Sequence, residues 1–358
     1  MRILIVDDEA LARERVSRIV GELPDHEVVG EAENGQVALD KVGSLNPDVI
    51  LLDIEMPIMD GITALPLLMD KSPDSRVIMV STLTLRNAAI SIKALSLGAV
   101  DYIEKPSANT DKEEFKKDLV SKVSVLSAAS RKSHHICEDA QEGDTDVEQS
   151  KPAEIKVDTR PIAGVKPLAI AIGCSTGGPQ ALTKFFEDFD HKIKDIPIFI
   201  TQHMPPAFTT FLADSLGKVS SMDCVEGESG MEIKSDKIYL APGDYHMTVK
   251  SKAHKGEIQL NQDEPENFCR PAVDPMLRSL SKVYGEKLLV VILTGMGQDG
   301  LEGCKEVVKN GGTVIAQDEK SSIVWGMPGA VVKEKLSSGV YPLDAIAERV
   351  VEICKGGA

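Results

Sequence analysis

Short apolar runs alternate with amphipathic stretches along most of the chain, and that alternation predicts its architecture. Residues 2–6, 27–30, 49–52, 76–80 and 102–104 read as five strands, each a compact apolar segment. Between them apolar positions recur at helical spacing, and residues 111–128 carry a further helical pattern. Apolar strands separated by helices predict a parallel sheet covered on both faces. Pro66 falls inside the third helical stretch and leaves the start or straightness of that helix open.

The pattern stops over residues 128–166, which are polar and acidic, with prolines at 152 and 161 and a third just after, at 167. Such a segment buries too little apolar surface to order itself and reads as a flexible linker. His134, His135 and Cys137 stand alone there, with no second cluster to complete a metal site. The rhythm resumes with strands at 168–172, 197–201, 237–240, 288–293 and 313–316, and with helices at 179–189 and 344–354. The expected fold is therefore α/β, two doubly wound parallel-sheet domains over residues 1–127 and 167–358.

Composition narrows the function. The 358 residues are too many for one ordinary core, and the net charge of -16 disfavours nucleic acid as a partner. No apolar run approaches the ~20 residues that span a bilayer, so membrane insertion is not expected. The chain begins without a signal-peptide pattern and its 6 cysteines lack CxxC spacing, which suits free thiols and a cytoplasmic location.

The strand ends carry the chemistry. Asp7 and Asp8 follow the first strand and Asp53 the third; three converging carboxylates ask for a hard cation such as Mg²⁺. Ser81 and Thr82 follow the fourth strand, and Lys105 follows the fifth, before Pro106. A hydroxyl, a lysine and Mg²⁺ are the groups that stabilise a phosphoryl group on a carboxylate. These residues, with Met56-Pro57 and Asp60-Gly61, resemble the receiver domains of bacterial response regulators over about residues 1–125. The resemblance implies that Asp53 accepts phosphate, that Asp7 and Asp8 hold the metal, and that Ser81 or the neighbouring Thr82 is the switch hydroxyl. It also implies that Lys105 pairs with the phosphoryl group and that Tyr102 is the moving aromatic.

In the second half, Gly173-Cys-Ser-Thr-Gly177 fits a Gly-x-Ser-x-Gly turn between a strand and a helix, a place that exposes Ser175 as a nucleophile. A serine needs a base. His203, directly after the strand at 197–201, is best placed, with His246 as competitor. The base needs an acid, and Asp299 lies in a glycine-rich loop after the most apolar strand, where the Met296 N–H could face an oxyanion. The chain order Ser, His, Asp argues against an α/β-hydrolase.

Gly173–Gln180, Gln202–Thr209, Ala241–His246, Arg270–Asp274 and Thr294–Gly300 resemble the catalytic domain of the chemotaxis protein-glutamate methylesterases. The resemblance covers nearly the whole chain. It implies a triad of Ser175, His203 and Asp299, with Thr176 nearby and the Met296 N–H in the oxyanion hole. It further implies phosphorylation-activated hydrolysis of glutamate γ-methyl esters on chemoreceptors, with deamidation of receptor glutamines, in chemotaxis adaptation. Methylated chemoreceptors as substrate and a chemotaxis histidine kinase as phosphodonor are the implied partners. Ester hydrolysis by this route calls for no cofactor. Cys174 stands where alanine is common in the family.

Overall fold

The computed structural model describes residues 1–82, 84–106, 112–138, 159–189, 195–220, 222–252 and 255–356. The first unit follows the order β1 (Arg2–Val6), α1 (Ala10–Gly21), β2 (Glu27–Ala32), α2 (Gly35–Leu45), β3 (Val49–Asp53), α3 (Gly61–Lys71), β4 (Arg76–Ser81), α4 (Leu85–Ser96), β5 (Asp101–Glu104) and α5 (Lys112–Glu138). Its five strands are parallel in the order β2-β1-β3-β4-β5. Both faces of β1 and β3 are apolar because helices cover both, and Ile3, Leu4, Ile50 and Leu51 are buried. Asn34, Asp60 and Thr84 cap α2, α3 and α4 through their side-chain oxygens, which explains where these helices begin. Pro66 sits within α3, its exposed ring facing solvent, and the helix runs through it.

The second unit contains β6 (Ala169–Cys174), α6 (Gly178–Asp188), β7 (Ile198–Gln202), α7 (Phe208–Ser220), β8 (Asp223–Glu226), β9 (Lys237–Leu240), β10 (His246–Lys252), β11 (Lys255–Asn261), α8 (Val273–Tyr284), β12 (Leu288–Ile292), α9 (Leu301–Lys309), β13 (Thr313–Gln317), α10 (Met327–Lys333), β14 (Gly339–Tyr341) and α11 (Leu343–Cys354). Seven parallel strands run β14-β13-β12-β6-β7-β9-β8, and β10 and β11 form a separate antiparallel hairpin. The doubly wound expectation holds for both sheets. The pattern missed β8, the hairpin and β14, which are short or polar and gain their order from neighbours rather than from apolar runs.

Helix α5 continues to Glu138, ten residues beyond the helical pattern that ends at 128 and into the segment read as a linker. Residues 139–158 of that segment lie outside the described residues. In both sheets the strand order reverses beside the first strand of the unit: between β1 and β3, and between β6 and β12. A cleft opens at such a switch point beyond the carboxyl ends of the strands, and both candidate sites fall there.

Candidate active site

Ser175 stands one residue beyond β6, His203 one beyond β7, and Asp299 in the loop after β12. The register pairs Cys174 with Gln202 and Gly173 with Ile292, so the three strand ends lie side by side. Ser175 N donates to Thr294 O at 3.0 Å, and Gly178 N donates to Ser175 O at 2.7 Å, closing the turn that starts α6. Gly177 adopts φ 76°, and a Cβ there would meet Ile323 at 2.7 Å, so this turn requires glycine. Gly295 is equally constrained: a Cβ would lie 2.9 Å from Ser175 Cβ. Among the described residues, the N–H groups of Thr176 and Met296 donate no backbone hydrogen bond.

His203 Nε2 lies 2.7 Å from Asp299 Oδ2, and Nδ1 lies 3.4 Å from Cys269 Sγ. Asp299 is 1% exposed, and its carboxylate accepts from the N–H groups of Val273 (2.6 Å), Asp274 (3.1 Å) and Gly300 (2.9 Å). Burial alone would lower the pKa of His203; hydrogen bonds to Asp299 and Cys269, with the Asp299 charge, raise it to about 10. Burial pushes Asp299 the other way, but the His203 bond and charge win and hold its carboxyl below the usual range. The site therefore favours the charged imidazolium over the neutral ring. Among the described residues Ser175 Oγ makes no hydrogen bond to it.

The competitor His246 is excluded by its surroundings. It is buried, with Nε2 against Glu264 O at 3.1 Å and Nδ1 accepting from Ala272 N at 3.2 Å, so both ring nitrogens are used by backbone. Cys174 is fully buried beside the nucleophile, and burial pushes its thiol above the ordinary range. Sequence reasoning missed Gln202, whose Nε2 braces the carbonyls of Ser175 (3.0 Å) and His203 (3.2 Å). It also missed Asn267, a loop residue with no motif of its own, whose Nδ2 donates to Asp299 at 3.1 Å.

At the other switch point Asp7, Asp8 and Asp53 offer oxygens within 4.8 Å of one another. Lys105 Nζ bridges Asp7 at 2.8 Å and Asp53 at 2.7 Å. Burial raises the Asp53 pKa to about 6 despite Lys105, with Asp7 adding repulsion. Ser81 is buried, its Oγ donating to Thr82 O at 3.2 Å, while the exposed Thr82 has its hydroxyl held by Asn87 Nδ2 at 2.8 Å. Of the two hydroxyls, that of Ser81 bonds backbone and that of Thr82 a side chain.

The two sites meet through β5. Gly177 N donates to Val100 O at 3.1 Å, Gln180 Nε2 to Ala99 O, and Thr176 Oγ1 to Asp101 Oδ2 at 2.7 Å. Lys122 of α5 lies 3.5 Å from Asp101, and Ser121 Oγ contacts Met296 Sδ at 3.4 Å. Tyr102 is buried with its ring stacked on Phe208 of α7 at 4.4 Å between centroids. The first unit therefore packs onto the turn that presents Ser175.

An acid cluster at one switch point and a serine, histidine and aspartate at the other define a response regulator whose effector is a hydrolase-like domain. Residues 170–350 match the model of the CheB methylesterase family, and residues 3–116 that of the response regulator receiver domain. A protein-glutamate methylesterase/protein-glutamine glutaminase of Rhodospirillum rubrum is 45% identical over 98% of this chain and 94% of its own length. One from Azospirillum brasilense is 46% identical over 97% and 91%. The crystal structure of the Thermotoga maritima CheB methylesterase catalytic domain is 40% identical, with a TM-score of 0.51, covering 53% of this chain and 100% of that one. The chain belongs to the CheB methylesterase family.

Proposed function

We propose that this chain is a phosphorylation-activated protein-glutamate methylesterase that also deamidates glutamines, acting on methylated chemoreceptors in chemotaxis adaptation. The observation that carries the reading is the meeting of Ser175, His203 and Asp299 at one sheet switch point in a chain of this family. Nε2 of His203 is taken by Asp299, while Nδ1 meets only the weak sulfur partner Cys269 at 3.4 Å, so Nδ1 is the nitrogen that would leave its partner to serve Ser175. Once deprotonated, His203 accepts the Ser175 proton at Nδ1 as Oγ attacks the ester carbonyl carbon. The N–H groups of Met296 and Thr176 receive the developing oxyanion. Collapse breaks the bond to the methoxy oxygen, and His203 returns the proton to release methanol. Water, deprotonated by the same nitrogen, then attacks the acyl-enzyme and frees glutamate and Ser175. A glutamine side chain would release ammonia by the same sequence.

Asp53 is the proposed phosphoacceptor. Its carboxylate, with Asp7 and Asp8, forms a hard-oxygen donor set that fits Mg²⁺. Bound there, the ion supplies charge neutralisation for phosphoryl transfer. Lys105 then pairs with the new phosphoryl group, Ser81 turns to it, and Tyr102 moves with them; a histidine kinase is the donor. The receiver, taken as residues 1–127, holds the turn before Ser175 in its resting pose, and phosphorylation loosens that contact from the catalytic unit at 167–358. Among the described residues no helix is long and apolar enough to cross a membrane, and the cytoplasm is the proposed location.

The test is methanol release from methylated receptor membranes. Wild type given phosphodonor and Mg²⁺ should release methanol, Ser175→Ala should fall to background, and Asp53→Asn should lose stimulation by phosphodonor while keeping basal turnover. Full activity in Ser175→Ala would end the assignment.

A further inference from the structure

Behind the catalytic pair lies a second buried acid that the mechanism above does not use. Asp274 is 2% exposed and sits in the first turn of α8. Its Oδ1 accepts from Gly303 N at 2.6 Å, in the first turn of α9. Asp299, in turn, accepts from the first N–H groups of α8. Each acid therefore faces the N-terminus of the helix beside the other, where helix dipoles favour negative charge. The amide of Asn267 joins them: Nδ2 donates to Asp274 Oδ2 and to Asp299 Oδ1, both at 3.1 Å.

Asn267 is held in place by its own turn. Glu266 and Cys269 exchange backbone hydrogen bonds of 3.2 and 2.9 Å across it, and Glu266 pairs with Arg278 of α8. Its φ of 52° lies in the left-handed region, which asparagine tolerates better than most residues. The same turn places Cys269 against Nδ1 of His203. One four-residue turn thus touches both members of the catalytic pair.

We propose that Asn267 and Asp274 are positioning residues for this pair: Asn267 orients the Asp299 carboxylate, and Asp274 adds a second negative charge that sets the proton affinity of His203. The proposal rests on the reading of His203 and Asp299 as base and acid. The charged and titratable groups facing the cluster are His203 and Cys269 on one side, and Arg278, Glu266 and Cys304 on the other. Burial and the Asp299 charge raise the Asp274 pKa, while its two partners, Gly303 N and the Asn267 amide, are donors that favour the charged form.

The experiment uses the full-length chain and follows the His203 ring by NMR from pH 6 to 11, together with the pH dependence of kcat/KM for methanol release. Asp274→Asn should lower the His203 pKa by ~1 unit and move the acid limb of the profile the same way. Asn267→Gly, which keeps the left-handed turn unstrained, should cut kcat ~10-fold with KM unchanged. Asn267→Asp puts a carboxyl where the amide now meets both acids and should raise the His203 pKa; it serves even if Asp274→Asn fails to fold. An unmoved His203 titration in the aspartate or asparagine variant, or unchanged kcat in the glycine variant, overturns the proposal. NMR shifts as expected in a wild type that releases no methanol would instead sink the esterase reading and leave the electrostatic coupling standing.

Discussion

At the residue scale the decisive quantity is the protonation of His203. Its raised pKa favours the imidazolium, a form that cannot act as the base proposed for Ser175. A group whose folded pKa is raised becomes a usable base only as pH climbs towards that value. The esterase kcat/KM should therefore keep rising well above pH 7, with its acid limb alkaline of the ordinary histidine value near 6.5. A plateau reached by pH 7 in stopped methanol-release assays would contradict this. Ser175, His203 and Asp299 were legible because each follows a recognisable strand and sits in a glycine-rich or proline-marked turn. Asn267, Gln202 and Asp101 were not. Their roles come from where folding carries them, and nothing in their local spacing marks a polar side chain whose partner lies 27 or more residues away.

At the scale of elements, apolar periodicity sufficed for the sheet strands buried on both faces and failed for those stabilised from outside. Strand β14 has three residues and gains its order from pairing with β13, so no window along the sequence could separate it from a loop. Helix α5 runs to Glu138, past the expected end at 128, where composition alone suggested a linker. The β6–α6 turn offers a sharp test. Gly177 combines φ 76° with a Cβ position already filled by Ile323, so Gly177→Ala should strain the turn and meet a side chain at once. Esterase activity should fall at least ~10-fold and stability by ~1–3 kcal/mol, measured by urea unfolding. Wild-type activity and midpoint in that variant would show that the turn is less constrained than its backbone indicates.

At the scale of the whole molecule, the apolar core is continuous from the receiver helices into α6 and α7, with Tyr102 stacked on Phe208 at the junction. Such a stack adds ~0.5–1.5 kcal/mol beyond the area it buries. Phe208→Ala should therefore weaken the resting contact and raise methanol release without phosphodonor several-fold, while the phosphorylated rate stays nearly constant. A fall in both rates would mean that Phe208 serves the catalytic unit instead. The two-unit plan was readable because each sheet repeats the strand–helix rhythm; the contact between units was not, since it joins Ala99–Asp101 to Thr176–Gln180 with no signal in either segment.

Strand β5 is four residues long, with Asp101 at one end and Lys105 just beyond the other. One end grips the hydroxyl of Thr176, next to the proposed nucleophile, and the other grips Asp53, the proposed phosphoacceptor. Coupling between two binding events is reciprocal. If a phosphoryl group on Asp53 frees the cleft, then a receptor helix occupying the cleft must by the same free energy make Asp53 easier to phosphorylate. Heavily methylated receptors would then recruit their own demethylation twice over, as cargo and as promoters of the modified state.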